Sequence, residues 1–332
     1  MTADPGAVWR VIHGYTGYWV AVAAVRLGLF DALAAGPLDA TAMAERCRAR
    51  PDAITVVADA LTASGLLTCA DGRYALTDTS AAHLVGGQPG SMADLLMWSP
   101  GPAPNWPVLD AIVRGGRPPQ PVEDDAAAFY ERLVDATFGS QLQVARVTLA
   151  GLAPRPGSRV LELGAGRAPW TSALLAADPD ASAVVNDLPE VLEGTVAALG
   201  PASARCTFVA GDYLGVDIPD GLFDLVVLGH VLRAESDRRA AALVALGGSR
   251  LAAGGHLIVT DYLGGRDPSR YPQAALLAAT MLAATVDGRL CTSDQLDAWL
   301  TAAGCTVVDR PEPVAATDVV IAVARIPGDR HG

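Results

Sequence analysis

Two acids and two glycines carry the chemistry that is most legible in this chain. The run VLELGAG at Val160–Gly166 reads as an apolar strand ending on Glu162, then a turn through Gly164 and Gly166 into a helix opening at Pro169. A second apolar run, VVND at Val184–Asp187, ends on an acid 21 residues past Gly166. In an open α/β sheet this spacing builds a nucleoside site. Glycines let the backbone approach a ligand closely, and a carboxylate at the tip of the second strand can bind both ribose hydroxyls. A dinucleotide fits the pattern poorly. The third glycine of G-x-G-x-x-G falls at Pro169, there is no G-x-x-x-x-G-K-[ST], and the chain contains no lysine. A nucleoside without phosphates and with a positive charge suits Glu162 and Asp187 better, and S-adenosylmethionine, with its sulfonium, is a ligand of that kind.

The elements that must position these residues follow from hydrophobic periodicity. Strands at 159–163, 183–187, 206–210, 223–229 and 255–260 alternate with helices at 169–178, 189–199, 236–253 and 292–303. A final strand, turn, strand spans 305–309 and 318–325. Alternation of this kind predicts a parallel sheet covered on both faces, a doubly wound α/β architecture. Upstream, 8–35 reads as one long helix, and short helices follow at Asp39–Glu45 and 51–65. Strands at 66–68 and 73–77, split by Asp71 and Gly72, read as a hairpin, which completes a winged-helix layout. The would-be recognition helix carries Asp52 and Asp59 and no basic residue, so a structural or dimerising role is expected of it. A Pro/Gly-rich surface crossover at 99–124 and a helix at 126–150 lead into the sheet. The expected division is therefore 1–98 helical winged-helix domain, 99–150 crossover and linking helices, and 151–332 nucleoside-binding domain.

Bulk properties exclude several function classes. A chain of 332 residues, 51% hydrophobic, buries a substantial core, yet no run of 18 uncharged apolar residues predicts a membrane span. The N-terminus carries Asp4 and aromatics in place of a basic segment followed by an apolar one, so no secretory signal is expected. A net charge of −12 argues against a nucleic-acid partner. Five scattered cysteines with no C-x-x-C pair read as reduced thiols of a cytoplasmic protein, with no metal site.

Taken together, these segments resemble the class I S-adenosylmethionine-dependent methyltransferases, specifically the two-domain O-methyltransferases of secondary metabolism. The resemblance covers nearly the whole chain. It rests on Arg26–Leu33, Gly36-Pro37, Ala58–Leu67 and Gly72–Thr77, then on Leu161–Gly166, Asn186–Leu192, Ala210–Tyr213, Phe223–Leu228, Leu251–Leu257 and Asp287–Arg289. It implies a Rossmann-like catalytic domain behind an N-terminal winged-helix dimerisation domain, a homodimer, S-adenosyl-L-methionine as cofactor and a small natural-product substrate. It also implies that Glu162, Gly164 and Gly166 line the methionine and ribose end, and that Asp187 holds the ribose hydroxyls while Leu188 packs the adenine. Asp212 would meet the adenine amine, with Tyr213 beside the ring. The first helix, with Trp9, His13, Tyr15, Tyr18 and Trp19, would help form the dimer and reach the partner's pocket. Trp98, Trp106 and Met281 are candidates for walling an aromatic substrate.

The catalytic centre departs from the family pattern. Where the family places a histidine that removes a phenolic proton, this chain has Arg233 in the segment His230–Asp237. The carboxylate after the fifth strand survives as Asp261, and a second supporting acid, expected near Leu290, is missing. Arginine, with a pKa above about 12, cannot serve as a general base. His230 is the nearest alternative in sequence; at i and i+3 in a helical turn, His230 and Arg233 would share a face. Arg233 reads either as a ligand for a carboxylate, phenolate or enolate, or as a surface ion pair with a nearby acid. Two enzymatic readings follow: methyl transfer to a natural-product intermediate, or a methyltransferase fold redirected to intramolecular substitution, such as cyclopropane closure, or to hydroxylation or decarboxylation. A regulatory protein built on the winged helix is a third, disfavoured by the acidic recognition helix.

Overall fold

The computed structural model describes residues 4–88, 90–98, 103–313 and 317–324. It divides into two compact units, Met1–Ser99 and Pro100–Gly332.

The first unit runs α1 (Gly6–Arg26), α2 (Leu29–Leu33), β1 (Leu38–Asp39), α3 (Ala40–Cys47), α4 (Pro51–Ala63), β2 (Leu67–Ala70), β3 (Arg73–Leu76), α5 (Asp78–His83) and α6 (Ala93–Trp98). The expected single helix over 8–35 is broken. Gly28 sits at φ +67°, a left-handed residue that ends α1 and starts α2. Asp39 caps α3 by accepting from the Ala42 N–H at 2.9 Å. β2 and β3 form the hairpin, turned by Asp71 (φ +50°) and Gly72 (φ +72°), two consecutive left-handed residues as a tight two-residue turn requires. β1 adds a third strand against β3, which the sequence reading did not include. On α4, Asp59 accepts from the Tyr74 hydroxyl at 2.6 Å, so an acid of the would-be recognition helix is tied to the wing. That hydrogen bond, with burial, pushes the Tyr74 phenol up to about 12. α1 buries only its C-terminal half, at Ala21, Val22 and Ala24, whereas Val8, Trp9, Val11, Ile12, Tyr15 and Trp19 stay exposed.

The second unit runs α7 (Leu109–Val113), α8 (Ala126–Leu152), β4 (Arg159–Leu163), α9 (Pro169–Ala177), β5 (Ser182–Asp187), α10 (Pro189–Leu199), β6 (Cys206–Ala210), β7 (Phe223–Gly229), α11 (Asp237–Ser249), β8 (Leu251–Asp261), α12 (Pro272–Ala284), α13 (Ser293–Ala302), β9 (Cys305–Asp309) and β10 (Asp318–Ala324). Its sheet has the order β6-β5-β4-β7-β8-β10-β9. The first five are parallel, and β10 pairs antiparallel with both β8 and β9. Strand order reverses between β4 and β7, the switch point where ligands bind beyond the carboxyl ends of strands. Both faces of the sheet are buried. Leu161, Leu163, Val226 and Leu228 face one core with α11 and α13, while Val160, Leu225 and Val227 face the other with α8, α9 and α10.

Three local readings differ from the structure. The helix expected over 236–253 stops at Ser249, and β8 begins at Leu251; the Ala-Ala-Gly-Gly run at 252–255 carries a register shift against β7, with Gly254 at φ +72°. α12 was not anticipated, because AALLAATMLAA is apolar on every face and shows no helical period. The crossover at 99–124, whose first four residues lie outside the described ones, is not all surface: Asn105 is fully buried and exchanges two 2.9 Å hydrogen bonds with the Gln120 backbone. Residue 325 of the last expected strand also lies outside the described residues.

Candidate functional site

The turn after β4 is built from left-handed residues. Gly164, Gly166 and Ala168 stand at φ +61°, +57° and +51°. Ala168 thus takes a left-handed conformation without being glycine, and Pro169 then fixes the first helical φ of α9. The glycines serve packing of the chain on itself. A Cβ on Gly164 would fall 2.4 Å from Val231 Cγ1 and one on Gly166 2.8 Å from Val134 Cγ1. Their Cβ directions are taken by valines of α8 and of the loop after β7.

Glu162 does not reach outward from this turn. It is 2% exposed, and its two oxygens accept from the N–H groups of Trp170 (3.3 Å) and Thr171 (2.8 Å) in the first turn of α9. Ala168, the N-cap of that helix, has no side chain able to cap it, so the strand supplies the carboxylate instead. Burial pushes Glu162 up to about 7 despite those hydrogen bonds. Asp187, at the tip of β5, is half-buried. Its Oδ2 accepts from Gly166 N–H and its Oδ1 from Leu188 N–H, both at 2.7 Å, which locks the two strand tips together. Burial raises its pKa, against the pull of those two N–H groups. Half-buried Leu188 stands before Pro189 as the N-cap of α10.

Asp212 and Tyr213 follow β6. Asp212 is exposed and paired with Arg239 at 2.9 Å; burial opposes this guanidinium, which nonetheless holds the carboxyl below its usual range. The Tyr213 hydroxyl donates to Glu235, which also accepts from Arg239 Nε at 2.5 Å. The Tyr213 ring lies 3.5 Å from the Cβ position of Gly164, so the structure does bring it to the glycine turn. The four charged or phenolic groups form one chain, Asp212–Arg239–Glu235–Tyr213, between the loops after β6 and β7.

At the tips of β7 and β8 the structure brings His230, Arg233 and Asp261 together. His230 is left-handed at φ +59° and continues the ladder by donating its N–H to Thr260 O at 2.7 Å. Arg233 lies on a short 3-10 turn, Leu232–Ala234. Its Nη1 donates to Asp261 Oδ1 at 3.0 Å and to His230 Nδ1, and its backbone N–H donates to Asp261 Oδ2 at 3.2 Å. Burial would raise Asp261, but the Arg233 charge, helped by the Tyr262 N–H, holds it at about 2. Burial, then the Arg233 charge, lower the pKa of His230. The centre is thus an ionised carboxylate, a guanidinium and a neutral imidazole. Arginine has no acceptor, so Nδ1 is the acceptor and the network assigns the ring proton to Nε2. Of the aromatic candidates, Trp106 lies in a 3-10 segment packed by α12; Met281, on α12, comes within 2.9 Å of the Cβ position of Gly288, itself 2.8 Å from Arg233 O. Trp98 lies in the first unit.

Three residues of this region escaped the sequence reading. Arg167, 8% exposed, pairs with Asp135 at 2.5 Å and donates to Val191 O at 2.8 Å, pinning the turn to α8 and α10. Gly194 makes the space for it, since a Cβ there would fall 2.2 Å from Arg167 Cζ. Tyr130 on α8 sits one helical turn before Val134; burial pushes its phenol up to about 12, while Arg233 pulls it down. The regular spacing of Tyr130 and Val134 on α8 was the available signal. Among the described residues no group of His, Cys, Asp and Glu could hold a metal, and no helix is long and apolar enough to cross a membrane.

Residues 9–86 match the O-methyltransferase dimerisation domain and residues 125–306 the O-methyltransferase domain. The chain is 31% identical over 310 residues to 3-hydroxy-5-methyl-1-naphthoate 3-O-methyltransferase of Streptomyces sahachiroi, covering 88% of each chain. It is 27% identical over 343 residues to the tetracenomycin polyketide synthesis 8-O-methyl transferase TcmO of Streptomyces glaucescens, covering 97% of each. Among solved structures, human N-acetylserotonin methyltransferase in complex with SAM superposes with a TM-score of 0.79 at 22% identity, over 97% of this chain and 99% of that one. CalO1, a methyltransferase in calicheamicin biosynthesis in its SAH-bound form, does so with 0.77 at 24%, over 98% and 100%. These structural likenesses show the fold.

Proposed function

The chain belongs to the two-domain O-methyltransferase family, and from that premise we propose that it methylates a small natural-product intermediate, using S-adenosylmethionine. The observation that carries this reading is the joined pair of strand tips, with Asp187 bonded to Gly166 at the switch point of the sheet. The donor set fits the cofactor. A half-buried carboxylate at the β5 tip suits ribose hydroxyls, the Tyr213 ring beside Gly164 suits a flat base, and no lysine is present to attract phosphates. When bound, S-adenosylmethionine supplies an electrophilic methyl group on a sulfonium. Asp187, Leu188, Gly164, Gly166 and Tyr213 would hold it, and Asp212 would close the rim through Arg239. Glu162 and Arg167 would fix the turn without touching it. Positioning supplies most of the acceleration in such a displacement.

The relatives point to aromatic acceptors: the Streptomyces sahachiroi enzyme is named for a hydroxynaphthoate and TcmO for a polyketide. We therefore assign an aromatic or polyketide-like acceptor to the side of the site that holds His230, Arg233 and Asp261. Two copies would associate through the exposed apolar half of α1, which lies largely within the matched dimerisation domain. The relatives reported above all carry methyltransferase names and lend no support to the cyclising, hydroxylating or decarboxylating reading. The test is a methyl-labelled S-adenosylmethionine incubated with hydroxylated aromatic acids. Label is expected in the product, with one S-adenosylhomocysteine formed per label. A changed acceptor with all label left in the cofactor would contradict methyl transfer.

A further inference from the structure

The acceptor side lacks a free base but keeps a cationic edge that no described residue takes up. Both protons of Arg233 Nη1 are committed, one to Asp261 and one to His230 Nδ1. Among the described residues, no hydrogen-bond partner is found for Arg233 Nε or Nη2, nor for His230 Nε2. At 3.7 Å, His230 Nδ1 is too far from Asp261 Oδ1 to donate to it, so the histidine is not set up as a base relayed by an acid. Its one lone pair is already used by Arg233. Asp261 in turn is 2% exposed and bonded to the Arg233 N–H, the Arg233 Nη1 and the Tyr262 N–H, so its oxygens are spent on holding the arginine. Tyr262 borders the guanidinium, with Arg233 Cζ 5.8 Å from its ring centroid and the His230 ring 5.6 Å from it. The Nε–Nη2 edge of a guanidinium is a planar two-donor fork that matches a planar oxyanion.

Resting on the methyltransferase reading above, we propose that this enzyme takes an acceptor that arrives already ionised, a planar oxyanion such as a carboxylate or an acidic enol or phenol, which the Nε–Nη2 edge of Arg233 holds while His230 acts as an Nε2–H donor. The step then balances without a base. An acceptor oxygen gains the methyl carbon as the carbon–sulfur bond breaks, and the electron pair of that bond stays on sulfur. The negative charge of the acceptor and the positive charge of the sulfonium cancel, and no proton is released. A neutral phenol, with a pKa near about 10, would be mostly protonated at neutral pH and would have no group here to deprotonate it.

The test is a calorimetric titration of the full chain, saturated with S-adenosylhomocysteine, with 1-naphthoate and with 1-naphthamide, a pair that differs mainly in charge. The wild type is expected to bind the carboxylate at least about 10-fold more tightly than the amide, as charge-assisted hydrogen bonds are about twice as strong as neutral ones. Arg233→Met should reduce the preference to within about twofold. Arg233→Lys keeps the charge opposite Asp261 and guards against misfolding of the first variant; it should retain a preference of roughly threefold, having lost the two-donor fork. Equal affinity of the wild type for the two probes, no binding of either, or an unchanged preference in both folded variants would overturn the inference and leave the methyltransferase reading standing. Failure to bind S-adenosylhomocysteine at all would sink that reading, and this inference with it.

Discussion

The tips of β4 and β5 hold their shape with backbone, whereas the tips of β7 and β8 hold theirs with side chains. On the first side, three left-handed residues set the turn, and the acids Glu162 and Asp187 are anchored to main-chain N–H groups. On the second, a buried carboxylate, a guanidinium and an imidazole define one another, with main-chain support from the His230, Arg233 and Tyr262 N–H groups. Backbone anchoring tolerates few residue types but leaves a recognisable spacing. Side-chain anchoring tolerates rearrangement of the chemistry, and this chain shows such a rearrangement at Arg233.

The largest expected effect attacks the side-chain centre. Asp261→Asn leaves the Arg233 charge largely buried and unpaired, which should cost about 3–5 kcal/mol of stability, read as a drop in denaturation midpoint. A loss under about 1 kcal/mol would mean that the guanidinium escapes to solvent, and the contrast between the two sides would fail. Next comes the backbone side. Gly164→Ala forces a Cβ into left-handed backbone and to within 2.4 Å of Val231 Cγ1, at an expected cost of about 3 kcal/mol. Val231→Ala should recover the steric part in the double variant and leave the backbone part.

A third expectation concerns pH. Glu162 stands at about 7 in the folded chain, against an ordinary value of 4.5, so the folded state binds this proton more tightly than the unfolded one. Its cost is fully present above pH 7 and is relieved as the pH falls toward 4.5. Glu162→Gln removes the titration. Relative to wild type it should be more stable at pH 8 than at pH 5, by up to about 3 kcal/mol, as chemical denaturation at the two pH values would show. A pH-independent difference would mean that Glu162 is ionised throughout. The smallest effect should come from Tyr130→Phe. Removing a phenol for which the described residues show no hydrogen-bond partner should leave stability within about 0.5 kcal/mol and shift S-adenosylhomocysteine affinity less than about threefold.

The sheet and the shape of the β4 and β5 tips were legible because both rest on main-chain demands. Glycine spacing, β-strand runs and an acid at a strand tip leave direct traces at Gly164, Gly166 and Asp187. The role of Glu162 was not legible, since it arises from what Ala168 lacks, a side chain able to cap α9. Arg167 and Gly194 were hidden for a similar reason: their fit is a pairing across 27 residues in which neither member is unusual alone. On the acceptor side the sequence named His230, Arg233 and Asp261 but left open whether Arg233 faces a ligand or a surface acid. Only the geometry shows that it meets a buried acid and a ring nitrogen of the histidine at once.

The most direct test of the division between the two sides is a calorimetric titration of S-adenosylhomocysteine into wild type, Asp187→Ala and Arg233→Met. The expected result is micromolar binding by wild type, a loss of at least about 100-fold in Asp187→Ala and a change of less than about threefold in Arg233→Met. Equal losses in the two variants, or no binding by wild type, would contradict the assignment of the cofactor to the backbone-built side and of the acceptor to the side-chain-built one.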